Sequence, residues 1–349
     1  MVKASPIVAQ DVERVVQLVG NSLTRLLGKR VFITGGTGFL GTWLIETLAW
    51  FNTQCDRSCQ IDVLTRHPEN FARKAPHLAE RTDIHLLAGD VQRFDYPDRA
   101  YDFIIHAAAP AEPGASQSEP FEVADTIVEG TRRVLGLAAR KTPEGFLFVS
   151  SGAVYGRQPP DLSHMPEDYP GGPILNSSRA VYGEAKRYAE MLCVLYRKRF
   201  NVPLRIARPF ALIGPYQDLE SGFAVTDFIR DGLRGLPLRI RGDGTTIRSY
   251  YYAADCAAAL FKILLDAPLG RVYNVGSDEP VTILTLAEKV AAVLGSQSSL
   301  IVEQPPQPGR PPARYVPAIC LGKTEIGLDV WTSLDEALQR TIDWYHSLT

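Results

Sequence analysis

The sequence predicts an α/β fold, a doubly wound parallel sheet with a smaller C-terminal lobe interleaved with it. Three observations predict this. Short apolar runs at 31–33, 61–65, 84–87, 103–107, 145–150 and 203–207 alternate with helical segments, the pattern of parallel strands joined by right-handed crossovers with helices on both faces. The first run ends in a glycine-rich turn, after which Trp43, Leu44, Leu48 and Trp50 continue at helical spacing. Beyond about residue 205 the alternation turns irregular, punctuated by Gly214-Pro215, Gly242-Asp243-Gly244 and the proline-rich run 305–312.

With 349 residues, 45% of them apolar, the chain can bury a sizeable core, and its length suggests about two domains. The expected division is an amphipathic helical extension at 1–29, a dinucleotide-binding domain at 30–204, and a second lobe at 205–349 that returns in places to the first. Thirty-seven basic against 39 acidic residues, with no basic block, give no electrostatic case for nucleic acid. Cys55, Cys59, Cys193, Cys256 and Cys320 are odd in number and scattered, so they read as reduced thiols; no metal site is expected, since Cys55 and Cys59 lack a second ligand pair. No stretch reaches the ~18 apolar residues of a membrane span. The first thirty residues carry Asp11 and Glu13 and lack a signal-peptide pattern. A soluble, cytoplasmic protein is the expectation.

In chain order, residues 8–27 place Val8, Val12, Val15, Val16, Val19, Leu23, Leu26 and Leu27 on one helical face, which predicts an amphipathic helix packed on the main domain or on a second subunit. The turn that follows the first strand, Thr-Gly-Gly-Thr-Gly-Phe-Leu-Gly at 34–41, reads as a phosphate cradle. Gly35 makes the turn, Gly38 admits a pyrophosphate to the backbone and Gly41 lets the new helix pack closely, while the first N–H groups of that helix, at Phe39 and Leu40, face the ligand. A Rossmann-like sheet of this kind binds beyond the carboxyl ends of its strands. Functional residues are therefore expected at Thr65-Arg66, Asp90-Val91, Ala107–Pro110 and Ser150-Ser151.

The second strand bears on the cofactor. NAD sites usually end it with a carboxylate for the ribose 2′-hydroxyl, and NADP sites suit an arginine. Here the end is Thr65-Arg66, whereas Asp62 sits near the strand start and points away. NAD or NADP is expected, with a lean to NADP; Arg66 reads either as a 2′-phosphate or adenine contact or as a solvated surface arginine.

Tyr182 and Lys186, in Tyr-Gly-Glu-Ala-Lys, fall one turn apart on a predicted helix. An ammonium beside a phenol favours the phenolate, so Tyr182 can take a proton from an alcohol as hydride leaves the carbon. Ser151, at a strand end, either hydrogen-bonds the same substrate oxygen or caps a turn.

These motifs, together with Gly-Asp-Val at 89–91, His-Ala-Ala-Ala at 106–109, Ser-Ser-Gly-Ala-Val-Tyr-Gly at 150–156, Arg-Pro-Phe at 208–210 and Tyr-Asn-Val-Gly at 273–276, resemble the extended short-chain dehydrogenase/reductase superfamily, in particular its nucleotide-sugar epimerase, dehydratase and decarboxylase branch. The resemblance runs from about residue 30 to the C-terminus. It implies Ser151, Tyr182 and Lys186 as the catalytic triad, with Lys186 also holding the nicotinamide ribose. It further implies Asp90 and Val91 beside the adenine, Ala107 at the cofactor, a nucleoside-diphosphate sugar between the lobes, and often a homodimer formed partly through the Tyr182 helix. Arg248 matches the family's phosphate-binding arginine, its other reading being a structural ion pair; Arg310 is a weaker match, because the usual arginine lies at Gln307.

The departures shape the expected reaction. Ala211 and Ile127 stand where many members carry asparagines. A 4,6-dehydratase places Asp-Glu after the triad hydroxyl, and decarboxylases commonly place a glutamate at the second position, whereas this chain has Gly152 and Ala153. A 4-epimerase needs only room for a 4-keto sugar to turn over, which two small residues favour. The expectation is a nucleotide-sugar 4-epimerase. Decarboxylation, favoured by Arg248-Ser249-Tyr250, 4,6-dehydration, NADPH-dependent reduction of a ketosugar, and a catalytically silent binding protein stand as alternatives.

Overall fold

The computed structural model describes residues 5–110, 118–295, 299–306, 309 and 311–348. Its centre is a seven-stranded, wholly parallel sheet. The strands are β1 (Arg30–Thr34), β2 (Gln60–Thr65), β3 (Ile84–Ala88), β4 (Phe103–His106), β5 (Gly145–Val149), β6 (Leu204–Pro209) and β11 (Val272–Val275), in the spatial order β3-β2-β1-β4-β5-β6-β11. Order reverses between β1 and β4, which opens a crevice at their carboxyl ends.

The strands are buried on both faces, so their apolar runs serve two cores. Val31 and Ile33 of β1 face one cluster and Phe32 faces the other, as the period of two requires. The first face is covered by α1 (Pro6–Val19), α2 (Phe39–Thr53) and a later helix, Ala253–Asp266, through Val12, Val15, Leu44, Leu48, Leu260 and Leu264. The opposite face is covered by the helices Pro120–Lys141 and Val181–Phe200 through Val123, Val134, Ala189 and Leu192. Thr142 and Asn201 end these two helices in the left-handed region, at φ 46° and 55°, the common way to stop a helix sharply.

The N-terminal expectation needs correction. Residues 8–27 are not one helix: α1 stops at Gly20, whose φ of +61° breaks the α pattern, and residues 20–26 continue as a 3₁₀ turn that still buries Leu23 and Leu26. The segment packs on its own chain. Its buried Asp11 accepts hydrogen bonds from the Tyr252 hydroxyl and pairs with Arg340 Nε at 2.7 Å.

After β5 the chain alternates between the sheet and the second lobe. β6 and β11 extend the sheet, while the lobe is made of small pairings. β7 (Leu212–Ile213) pairs with β10 (Tyr251–Tyr252), β8 (Leu238–Ile240) with β13 (Leu300–Val302), and β9 (Ile247–Arg248) with both β12 (Val281–Thr282) and β14 (Arg314–Tyr315). The helices Ala224–Leu233 and Ile283–Val293 pack beside them. The proline-rich run lies between β13 and β14.

Candidate active site

A cleft of about 1450 Å3 runs along the carboxyl ends of the sheet strands and under the second lobe. Its floor begins at the glycine turn. Gly35 has φ +73°, and a Cβ there would lie 2.6 Å from Ala107 C and Ala108 N; at Gly41 a Cβ would lie 2.1 Å from Gly35 O. Both positions admit only glycine, because the turn is pressed against the end of β4 and α2 is pressed against the turn. Gly38 caps α2, so the free N–H groups of Phe39 and Leu40 open into the cleft. This cradle fits a dinucleotide pyrophosphate.

The remaining cofactor positions gather round it. Arg66, Asp90, Val91 and Ala107 all line the cleft. Asp90 accepts the Gln92 N–H at 2.8 Å. Asp62 is fully buried and bound by Arg30 at 2.9 Å, Arg99 at 3.2 Å and the Tyr101 hydroxyl at 2.8 Å, so it faces away from the site as expected.

Ser151, Tyr182 and Lys186 come together in the same cleft. Tyr182 and Lys186 project from the helix Val181–Phe200. Lys186 is only 2% exposed; its Nζ donates to Val149 O at 2.7 Å and lies 4.9 Å from the centre of the Phe148 ring. Burial lowers its pKa to about 8, with the Glu190 carboxylate opposing the shift. Ser151 caps the turn Gly152–Tyr155 by accepting the Ala153 N–H at 3.1 Å, and it also hydrogen-bonds Tyr315. His106, below the turn, bonds Thr34 Oγ1 at 2.7 Å and Thr131 Oγ1 at 3.0 Å, and burial drives its pKa down to about 3, so it is neutral.

A brace that sequence reasoning did not assign to the site stands behind the triad. Glu190, one turn after Lys186, accepts the Ser150 hydroxyl at 2.6 Å and both Arg208 Nε at 2.9 Å and Nη2 at 2.6 Å. Arg208 Nη1 also donates to the Tyr155 hydroxyl at 2.7 Å, which donates to Asn274 Oδ1 at 2.7 Å. The motifs at 150–156, 208–210 and 273–276 are thus one buried hydrogen-bonded unit joining β5, β6 and β11.

The substrate side differs from expectation at several points. Gly152 does not leave open room: a Cβ there would lie 2.6 Å from the Tyr315 hydroxyl and 2.7 Å from the Phe210 ring. Tyr315 reaches the site because β14 pairs with β9, setting it opposite Arg248; no periodic signal in the sequence marks this. Arg248 lines the cleft, donates to Ile247 O at 3.1 Å and lies 5.6 Å from the Tyr315 ring centre. Burial lowers its pKa. Among the described residues no carboxylate pairs with it, so the structural ion-pair reading has no support. Ala211 lines the cleft, but Ile127 is buried in the sheet core. Arg310 and Gln307 lie outside the described residues. Among the described residues no helix is long and apolar enough to cross a membrane.

Comparison with known proteins bears on the family and the fold. A family model described as the NAD dependent epimerase/dehydratase family matches residues 31–276. UDP-glucuronic acid decarboxylase 1 of Danio rerio is 30% identical over 317 residues, which cover 91% of this chain and 72% of that protein. UDP-glucuronic acid decarboxylase 1 of Arabidopsis thaliana is 32% identical over 315 residues, 90% of this chain and 69% of that protein. Among solved structures, UDP-glucuronic acid 4-epimerase from Bacillus cereus, in complex with UDP-glucuronic acid and NAD, superposes with a TM-score of 0.79 at 23% identity, covering 92% of this chain and all of that one.

Proposed function

We propose, from the premise that this chain belongs to the NAD-dependent epimerase/dehydratase family, that it is a nucleotide-sugar 4-epimerase working through a transient 4-keto sugar. A bound nicotinamide supplies the acceptor, and then the donor, of the hydride. Tyr182, as phenolate, takes the proton of the C4 hydroxyl; Lys186 stabilises that phenolate and holds the nicotinamide ribose; Ser151 orients the C4 oxygen. Among the described residues no carboxylate pairs with Arg248, which suits the substrate diphosphate. The lobe from about residue 205 supplies the sugar-nucleotide wall.

The observation that carries this reading is the chemistry of positions 152 and 153. Neither residue titrates, and the space over Gly152 is filled by Tyr315 and Phe210. Among the described residues, the carboxylates lining the cleft, Asp90, Glu122, Asp227 and Asp243, come from the β3 end, the helix Pro120–Lys141 and the second lobe. Redox exchange at C4 needs no carboxylate acid/base pair. Elimination of water across C5 and C6 does.

Decarboxylation is the second reading, favoured by the curated relatives and by Arg248-Ser249-Tyr250. A 4-keto uronate is a β-keto acid and loses carbon dioxide with little help, so the missing glutamate does not forbid it. Incubation with a panel of nucleotide hexoses and uronates, followed by mass and NMR, separates the readings. Unchanged mass with inverted C4 supports epimerisation, and loss of carbon dioxide or water replaces it.

We also propose a homodimer. Tyr188, Met191 and Leu195, at 49%, 52% and 52% exposure, form one apolar stripe along the helix Val181–Phe200 and suit a second copy. The unpaired cysteines support a reducing, cytoplasmic setting. Sedimentation that gives only a monomer overturns the dimer.

A further inference from the structure

The hydroxyl of Ser151 has a neighbour that comes from far along the chain. Tyr315 lies on β14, whose pairing with β9 sets it opposite Arg248, and it lines the cleft together with Ser151 and Tyr182. Its ring packs on Phe210 with 4.5 Å between ring centres, and the Arg248 guanidinium lies 5.6 Å from its own centre. A Cβ on residue 152 would stand 2.6 Å from its hydroxyl, so the glycine there is what admits it. In that place the hydroxyl bonds Ser151.

The direction of that bond decides what Ser151 can do. A serine hydroxyl has one proton to give and two lone pairs to receive with. One lone pair accepts the Ala153 N–H at 3.1 Å. Desolvation of the Tyr315 phenol pushes its pKa above the ordinary value, and the field of Tyr182 adds to the shift, so Tyr315 keeps its proton at neutral pH. Of the two hydroxyls a phenol is the stronger acid and the poorer acceptor; Tyr315 therefore donates and Ser151 accepts. With both lone pairs taken, the Ser151 proton is turned out of the cluster and into the cleft.

We infer that Tyr315 is a positioning residue for the reaction: it fixes Ser151 as a hydrogen-bond donor to the sugar C4 oxygen. The inference rests on the 4-keto chemistry proposed above and is indifferent to whether the keto sugar is then epimerised or decarboxylated. The C4 oxygen gives its proton to Tyr182 and becomes a carbonyl, so a neighbour that donates serves it at every stage. A serine free to rotate would spend part of its time offering a lone pair to a lone pair. Polarity fixed beforehand needs no reorganisation at the moment of reaction. Through this one hydroxyl the second lobe reaches into the triad.

A double-mutant cycle on the holoenzyme tests it. Tyr315→Phe keeps the ring and removes the donor. Turnover of the nucleotide sugar that the panel identifies is expected to fall about fivefold to tenfold, the scale of one hydrogen bond, with KM and the unfolding midpoint unchanged. In a Ser151→Ala background the same substitution should cost nothing further, because Tyr315 acts through the serine. Undiminished turnover for Tyr315→Phe, or an equal loss with and without the Ser151 hydroxyl, overturns the inference. Calorimetry gives a reading without turnover. UDP-4-keto-6-deoxyglucose presents the carbonyl and UDP lacks it, so Tyr315→Phe should weaken binding of the first about fivefold and leave the second as it was. Equal weakening of both, or of neither, overturns the inference. A product short of carbon dioxide would end the epimerase reading and leave this coupling standing.

Discussion

Two cations, Lys186 buried and Arg248 half-buried, sit in one cleft under opposite conditions. Lys186, on the helix Val181–Phe200 packed against the sheet, is held from within the chain, by the Val149 carbonyl and by the field of Glu190, itself locked by Arg208 and Ser150. Arg248 belongs to the second lobe, where among the described residues it donates to the carbonyl of its neighbour and lies near the Tyr315 ring, with no carboxylate paired to it. The chemistry end is fixed before substrate arrives, while the lobe wall keeps a positive charge for a ligand to balance. A group that must hold one proton at one place is braced internally, and a group that must grip an anion is left uncompensated.

The largest effect should come from breaking the brace. Glu190→Ala leaves Arg208 buried without its carboxylate, and loss of one partner of such a pair typically costs about 3–5 kcal/mol. Denaturant unfolding should show it, with Glu190→Gln milder. Near-native stability for Glu190→Ala would mean that the brace is ornamental to the fold.

Tyr182→Phe should lower the turnover by ~10²-fold or more, the scale of a positioned acid/base group, with cofactor affinity retained. Arg248→Met should behave oppositely to Glu190→Ala. We expect the sugar-nucleotide KM to rise by about tenfold or more, with thermal stability equal or higher, because a half-buried cation with no carboxylate partner among the described residues is gone. A fall in stability would show that Arg248 has a structural partner after all.

The pH dependence sharpens the Lys186 side of the comparison. Its pKa lies near 8 in the folded protein against an ordinary 10.5, so between these values the unfolded chain binds more protons and the Lys186 contribution to stability rises with pH. Turnover should move the other way, falling as the ammonium is lost above about pH 8. Parallel pH profiles of unfolding midpoint and turnover check both signs. The smallest effect expected is from Gly152→Ala: its new methyl must displace the Tyr315 hydroxyl, which for an overpacked site costs ~1–3 kcal/mol and should also slow the reaction.

The parts of this protein whose signals are local can be read along the chain. The glycine turn was legible because turn, close approach and helix start fall within eight residues, and Tyr182 and Lys186 because one helical turn separates them. Six of the seven strands of the sheet, all but β11, were legible as apolar runs, as was the position of Asp62 at the wrong end of β2. Even there, Gly20 ended the N-terminal helix early, since a hydrophobic face reads alike through an α-helix and the 3₁₀ turn that follows it. It took the folded chain to show that Tyr315 fills the space over Gly152, that Glu190 joins Arg208 and Ser150 behind Lys186, that Asp11 is buried against Tyr252 and Arg340, and that Arg248 pairs with no carboxylate among the described residues. Periodicity along a chain reports which face of an element is buried. It carries no record of which distant element covers that face, and the charges and volumes of this site are set by those distant elements.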